Sequence, residues 1–322
     1  MSRRSWVLLG VLSALWGASY LFIKVALEDG MSPTVIVCAR TALAALVLLP
    51  FAARAGALGG LRANRSSIVV LAVIQMGGPL LLIAAGERHI ASSLTGILVA
   101  AAPIFTFLLA FVLEGEERAS GLSLAGVAVG IAGVALLLGV DAEGGTEALA
   151  GGLMVVLASF GYGVSAWFVK RRVRGVQPVA MVGATAATVA LAMLPFAALS
   201  APPHTPDLAA TGSLLALGFL CTGLAFVIFY SLVASDGPAK ASLVGYLAPG
   251  FSIAYGITLL DERFTVATAA GLVMITGGSW LAATGGQLPA RGVDVATASE
   301  ADCGPDAALL EDGAERGDRV TA

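Results

Sequence analysis

Ten runs of apolar residues, each about 17 to 24 long, alternate with short polar stretches at approximately 6–27, 34–53, 68–86, 92–113, 120–140, 150–169, 179–199, 211–234, 239–259 and 266–284. Each is as long as a helix must be to cross a hydrocarbon core. Lipid offers no partner to backbone N–H and C=O groups, so each run is predicted to be helical. The pattern predicts an all-α polytopic membrane protein with ten transmembrane helices.

The pattern is also written twice. Trp16-Gly17-Ala18-Ser19-Tyr20-Leu21-Phe22-Ile23-Lys24 returns as Tyr162-Gly163-Val164-Ser165-Ala166-Trp167-Phe168-Val169-Lys170, displaced by 146 residues. Ser13 recurs as Ser159, Leu49-Pro50-Phe51 as Leu194-Pro195-Phe196, and Ala102-Pro103 as Ala248-Pro249. Glu117-Arg118 recurs as Glu262-Arg263, and Gly126 and Gly133 as Gly271 and Gly278. Matches in one order at a nearly constant offset mark an internal duplication. With five spans per copy, the second copy enters the membrane the opposite way, giving two inverted five-helix repeats. The expected units are 6–140, 150–284 and a tail, 285–322.

Composition agrees. The 322 residues are 58% hydrophobic and 12% charged, with a mean hydropathy of +0.91. A soluble domain carries roughly a quarter charged residues. Residues 1–286 hold 15 Lys/Arg against 13 Asp/Glu, while 287–322 hold 3 against 8 and show no apolar period, so that tail is expected to be disordered. With the N-terminus in the cytoplasm, fourteen bases fall inside and only Lys24, Arg88 and Arg263 outside. That bias predicts a plasma or inner membrane protein with both termini cytoplasmic. Cys38, Cys221 and Cys303 form no CxxC pair and suggest neither a disulfide framework nor a metal site.

The two W/Y-G-x-S-x-x-F-x-K copies, Arg40 in the second span, and the Pro103 and Pro249 helices with their following Glu-Arg turns resemble the EamA family of the drug/metabolite transporter superfamily. The resemblance covers about residues 6–284. It implies a ten-helix inverted-repeat carrier of small metabolites, often outward, amino acids and their relatives among them. Arg40 departs from the duplication, since its counterpart is Thr185.

A carrier needs a polar site near the midplane. Pro103 should free the carbonyl of Val99, and Pro249 that of Gly245, so both are candidate hinges or carbonyl ligands. Pro79, after Gly77-Gly78, is a further bend. Trp16, Ser19 and Tyr20 on the first span, Gln75 on the third, Tyr162, Ser165 and Trp167 on the sixth, and Tyr230 and Tyr246 on the eighth and ninth are the candidate substrate-binding groups. Rings supply area and hydroxyls direction, which suits a neutral or zwitterionic organic molecule. Arg40 can hold a substrate carboxylate, although snorkelling outward toward Glu28 and Asp29 is the cheaper expectation. Glu87, at the outer end of the third span, is the nearest candidate for a proton- or cation-carrying carboxylate, but is expected instead to be a loop residue beside Arg88 and His89, and Lys24 is expected to snorkel. Ser13-xxx-Gly17, Ser159-xxx-Gly163 and Gly126-xxx-Gly130 are close-packing faces, the last within its own half or between protomers.

These features point to a secondary transporter working by alternating access, with export the direction that the family resemblance implies. A non-transporting receptor or scaffold is the alternative. An intramembrane enzyme would need a catalytic cluster at depth; the only histidines, His89 and His204, fall in loops, and no GxSxG, HExxH or GK[ST] occurs. No cofactor or nucleic acid is expected. The expected partners are a small-molecule substrate and the lipid bilayer, with a homodimer as an option.

Overall fold

A computed structural model describes residues 1–114, 120–141, 145–200, 202 and 204–285. The Glu117-Arg118 turn, Glu143, Pro203 and the acidic tail lie outside the described residues. Among the described residues every regular element is helical. The first five are α1 (Arg3–Glu28), α2 (Pro33–Arg54), α3 (Arg65–Gly86), α4 (Ser92–Val99 continuing as Ala102–Glu114) and α5 (Gly121–Asp141). The second five are α6 (Thr146–Arg172), α7 (Pro178–Leu199), α8 (Leu208–Asp236), α9 (Val244–Leu259) and α10 (Val266–Thr284). Nine of the ten are long and apolar enough to span a bilayer; α9 is the shorter tenth, because a turn at Ser242 and Leu243 interrupts the apolar run.

Local chemistry sets the ends. Ser32 accepts the Val35 N–H at 3.3 Å ahead of Pro33, whose missing N–H costs a first-turn position nothing. Asp207 caps α8 through the Ala210 N–H at 2.7 Å, and Thr265 caps α10 through Thr268 at 3.1 Å. Gly285 ends α10 in the left-handed region, φ +60°, where a Cβ would be strained.

The repeats interlock rather than stand apart. α1 packs along α9, and α6 along α4, so each half lays its first helix against the other half's fourth. Gly17 makes the first contact: a Cβ there would lie 2.6 Å from Phe251 Cβ and 2.8 Å from the Ala248 carbonyl. Gly163 makes the second, 2.9 Å from Phe105 Cβ and the Thr106 nitrogen. Phe105 and Phe251 are themselves 146 apart, so duplicated residues make duplicated contacts. α2 packs on α7, and α5 on α10. The small face of α5 is shared between the halves: a Cβ on Gly126 would meet Ala282 and Leu281 of α10 at 2.6 Å, while one on Gly130 would meet Ile104 of α4 in its own half. Large side chains such as Leu46, Val73, Val112, Leu191 and Val273 remain exposed around the bundle, as lipid-facing positions do.

α3 and α8 carry matching irregularities. Ala72–Gly77 and Ala216–Leu224 are wound with five-residue hydrogen-bond spacing, and the first maps into the second at the 146-residue offset. Such wide turns tend to mark functional sites. Thr222 fits the geometry, donating from Oγ1 to the Leu217 carbonyl at 2.8 Å.

Candidate functional site

α1, α2, α3, α4, α6, α8 and α9 enclose a cavity of about 390 Å³. Its walls come in repeat-related pairs: Trp16 with Tyr162, Gln75 with Cys221, Met76 with Thr222, Leu80 with Phe226, Ile83 with Phe229, and Pro103 with Pro249. A cavity lined by both members of such pairs contains the pseudo-two-fold axis. The wide turns of α3 and α8 present Gln75, Met76, Cys221 and Thr222 to it. Frame and chemistry differ, however. Trp16 with Tyr162 keeps its aromatic character and Pro103 with Pro249 is identical, but in the other four pairs the wall is apolar or amide on the first-repeat side and aromatic, thiol or hydroxyl on the other.

The aromatic side is continuous. The Trp16 ring centroid lies 5.9 Å from Phe226 and 5.5 Å from Phe229, and Tyr230 lies 5.2 Å from Phe229. Phe226, Phe229 and Tyr230 fall at helical spacing on α8, so one face of that helix supplies three rings. Sequence reasoning picked Tyr230 and missed both phenylalanines, although their three- and four-residue spacing was the available signal.

Arg40 is the one charged group on the wall among the described residues. It does not snorkel toward Glu28 and Asp29. The side chain is buried, with Nε donating to Thr222 Oγ1 at 2.8 Å and an Nη to Ser19 Oγ at 3.3 Å. The two hydroxyls come from different repeats and fix the guanidinium between them. Among the described residues it makes no ion pair. A guanidinium has five N–H donors; two are used by the protein, leaving three for whatever fills the cavity.

Of the other expected groups, Trp16, Ser19, Tyr20, Gln75, Tyr162 and Tyr230 line the same cavity, as do Pro103 and Pro249. Ser165, Trp167 and Tyr246 are not among the lining residues. Ser165 is buried and spends its hydroxyl on the Tyr162 carbonyl at 2.8 Å. Trp167 carries Arg171 over its ring at 5.4 Å. Tyr246 is half-buried on α9. Val99 and Gly245, whose carbonyls the prolines deprive of a donor, both line the cavity.

The two proline helices differ. α4 is interrupted at Ala100 and Ala101, where the N–H groups reach back three residues to Ile97 and Leu98. Hydroxyls from the other repeat reach the same break: Ser159 donates to the Leu98 carbonyl and Ser279 to the Ala100 carbonyl, each at 2.9 Å. In α9, Pro249 sits inside continuous helix, and the interruption precedes it at Ser242 and Leu243. Ser13, the counterpart of Ser159, donates within α1 to Leu9.

Two groups at the bundle end away from Met1 depart from expectation. Lys24 does not point away: Nζ donates to the Glu87 carbonyl at 2.9 Å and the Ile90 carbonyl at 3.3 Å, clamping the α3–α4 connection. Glu87 lies in the turn after α3 with Arg88 and His89, as expected, but has no solvent exposure. Its place just past an apolar span hid this in the sequence.

The sequence profile of the EamA-like transporter family matches residues 4–139 and again 149–284. The chain belongs to that family. Membership makes it a multi-pass membrane transporter with two inverted five-helix repeats. Similar proteins include one from Salmonella typhimurium named a probable amino-acid metabolite efflux pump, 26% identical over 87% of this chain and 95% of its own. A probable terminal-alkyne amino-acid exporter of Streptantibioticus cattleyicolor is 30% identical over 81% of this chain and 87% of its own. A solved structure, 23% identical, covers 87% of this chain and 98% of its own with a TM-score of 0.60, and shares the fold.

Proposed function

We propose that this EamA-family transporter exports a small zwitterionic metabolite of the amino-acid class across the inner membrane. The carrying observation is Arg40: a buried guanidinium on a cavity wall, held by two hydroxyls, with three N–H donors left and no acid partner among the described residues. Burying an unpaired charge is costly, so such a group calls for an anion in the working cycle. A carboxylate matches its planar fork. The Trp16, Phe226, Phe229 and Tyr230 rings then take the apolar part of the substrate. A volume of about 390 Å³ falls in the usual range for small-molecule sites.

Outward transport is supported by the relatives named as efflux pumps and exporters. Cytoplasmic termini are supported by the fourteen-to-three charge distribution. The mechanism is rocking of the repeats about the shared cavity, with Pro103 and Pro249 as hinge positions and the α2–α7 and α5–α10 contacts as the sliding surfaces.

Metabolite profiling of cells and medium tests the reading. Strains carry wild type or Arg40→Gln at matched membrane abundance. An amino-acid-like compound should accumulate in the medium with wild type only. Equal accumulation from both strains would remove Arg40 from the site, and accumulation inside the cells would reverse the direction.

A further inference from the structure

We propose that the junction between the α2–α3 and α6–α7 connections is a binding site for the phosphate headgroup of an anionic phospholipid. α2 and α6 end there, and α3 and α7 begin, at the bundle end where α1 starts. The junction is packed. Asn64 is buried, and its Nδ2 donates to the Gly60 carbonyl at 2.9 Å and the Arg174 carbonyl at 3.0 Å, tying a connection of the first repeat to one of the second. A Cβ on Gly60 would collide with the Gly175 carbonyl, and both glycines hold positive φ, +79° and +65°. Ala52, Ala57 and Ala180 are buried beneath, with Leu61 and Val179 packed on them.

A depression of about 410 Å³ opens on this junction, lined by Gly56, Ala57, Gly59, Gly175, Val176 and Gln177. Much of the wall is bare peptide, and the N–H groups of Gly175 and Val176 have no backbone acceptor among the described residues. The segments that form it carry Arg54, Arg62 and Arg65 from one repeat and Arg172 and Arg174 from the other. All five are exposed, and none makes an ion pair among the described residues. No Asp or Glu occurs in 50–70 or 168–180. Like charges gathered without an acid repel one another, so the arrangement favours an anion from outside. The duplication argues that the fold does not need these bases. None of the five has a basic counterpart at the repeat offset, and Arg174 corresponds to Glu28. The related connections, 28–32 and 200–207, hold Glu28, Asp29 and Asp207 and no Lys or Arg.

The position on the bundle selects a lipid over a soluble anion. Phe51 precedes Arg54 by three residues on α2, and Val69 follows Arg65 by four on α3. Each base therefore shares a helix face with an exposed apolar side chain. A phospholipid has the same order along the membrane normal, acyl chain and then phosphate. The guanidinium fork matches phosphate oxygens two at a time. The charge distribution favours the cytoplasmic side for this end, where the leaflet carries anionic lipid and basic pockets between helices take its headgroups. A headgroup bound here meets bases of both repeats and holds this end in the arrangement described.

Native mass spectrometry of the full chain in detergent tests the site, with equimolar phosphatidylglycerol and phosphatidylcholine of the same acyl chains. Wild type should retain phosphatidylglycerol in preference. Arg54→Gln/Arg174→Gln should weaken that retention about 25-fold, at about fivefold per arginine beside an anionic lipid surface. Arg3→Gln/Arg4→Gln, on exposed bases of the same end outside the junction, should leave it unchanged. Gly59→Asp keeps every base and adds an opposing charge where a Cβ meets nothing within 4 Å, so it should also weaken retention and reads the site if the arginine variant fails to fold. Equal retention of the two lipids by wild type, equal loss from both arginine pairs, or full retention by the Gly59→Asp protein would overturn the proposal. Displacement of phosphatidylglycerol by inorganic phosphate at the same concentration would overturn the lipid assignment and make the junction a soluble-anion site.

Discussion

Replacing Arg40 by Met separates a binding role from a structural one, because the two roles predict opposite stability effects. The substitution removes a buried charge that has no ion-pair partner among the described residues. Desolvation costs several kcal/mol per ion. The hydrogen bonds to Thr222 and Ser19 return about 1.5–3 kcal/mol each. Neither hydroxyl is orphaned, since Thr222 still donates to Leu217 and Ser19 to Leu15. The opposing contributions nearly offset, so the unfolding temperature should stay level or rise. A group holding the helices together would instead cost about 3–5 kcal/mol on removal. Transport moves the other way. Losing a charge-assisted hydrogen bond to a carboxylate costs about 1.5–3 kcal/mol, or roughly 10- to 150-fold in apparent affinity. Wild type should prefer a free amino acid to its methyl ester by a similar factor, and Arg40→Met should not distinguish them. The assays are thermal unfolding in detergent and counterflow of labelled substrate into liposomes. Loss of stability with undiminished affinity would refute the reasoning.

Gly17→Leu forces side-chain atoms into Phe251 and the Ala248 backbone, and should abolish folded protein on size-exclusion chromatography, whereas Gly250→Ala, with open space at its Cβ, should not. Ser159→Ala removes a cross-repeat hydrogen bond worth about 0.6–1.7 kcal/mol in membranes. It should change the alkylation rate of the cavity-lining Cys221 about 3- to 15-fold, while Ser13→Ala, losing only a bond within its helix, should change it little. Both are read with Cys38 and Cys303 replaced by Ser. Glu262→Gln weakens the cap on Ser92 and Ser93 and should cost about 1–2 kcal/mol in thermal unfolding, with the bundle still formed.

What the sequence disclosed and what it hid follow from how far apart the interacting residues are. Hydropathy and the 146-residue offset are carried by single positions, so span number, duplication and inversion were legible. Much of the cavity was legible for the same reason: Trp16, Ser19, Gln75 and Tyr162 are polar or aromatic within apolar spans. The direction of Arg40 was not, because its principal partner, Thr222, is 182 residues away and snorkelling costs little to a long side chain. Glu87 looked like any acid at the end of a span until the Lys24 and Glu262 contacts enclosed its connection. The wide turns of α3 and α8 were invisible to hydropathy, since winding does not alter composition. The unequal interruptions of α4 and α9 were hidden for a deeper reason. Ala102-Pro103 and Ala248-Pro249 are written alike, yet one proline borders a break and the other lies within helix. Two repeats held in one conformation would make the two ends of the bundle equivalent, and no carrier could then be open to one side at a time. The unequal breaks, with Ser159 bridging and Ser13 not, remove that equivalence through packing alone. Substitutions that move Ser13 and Ser159 toward each other's environment should therefore act on the balance between the two ends, leaving the cavity chemistry on Arg40 intact.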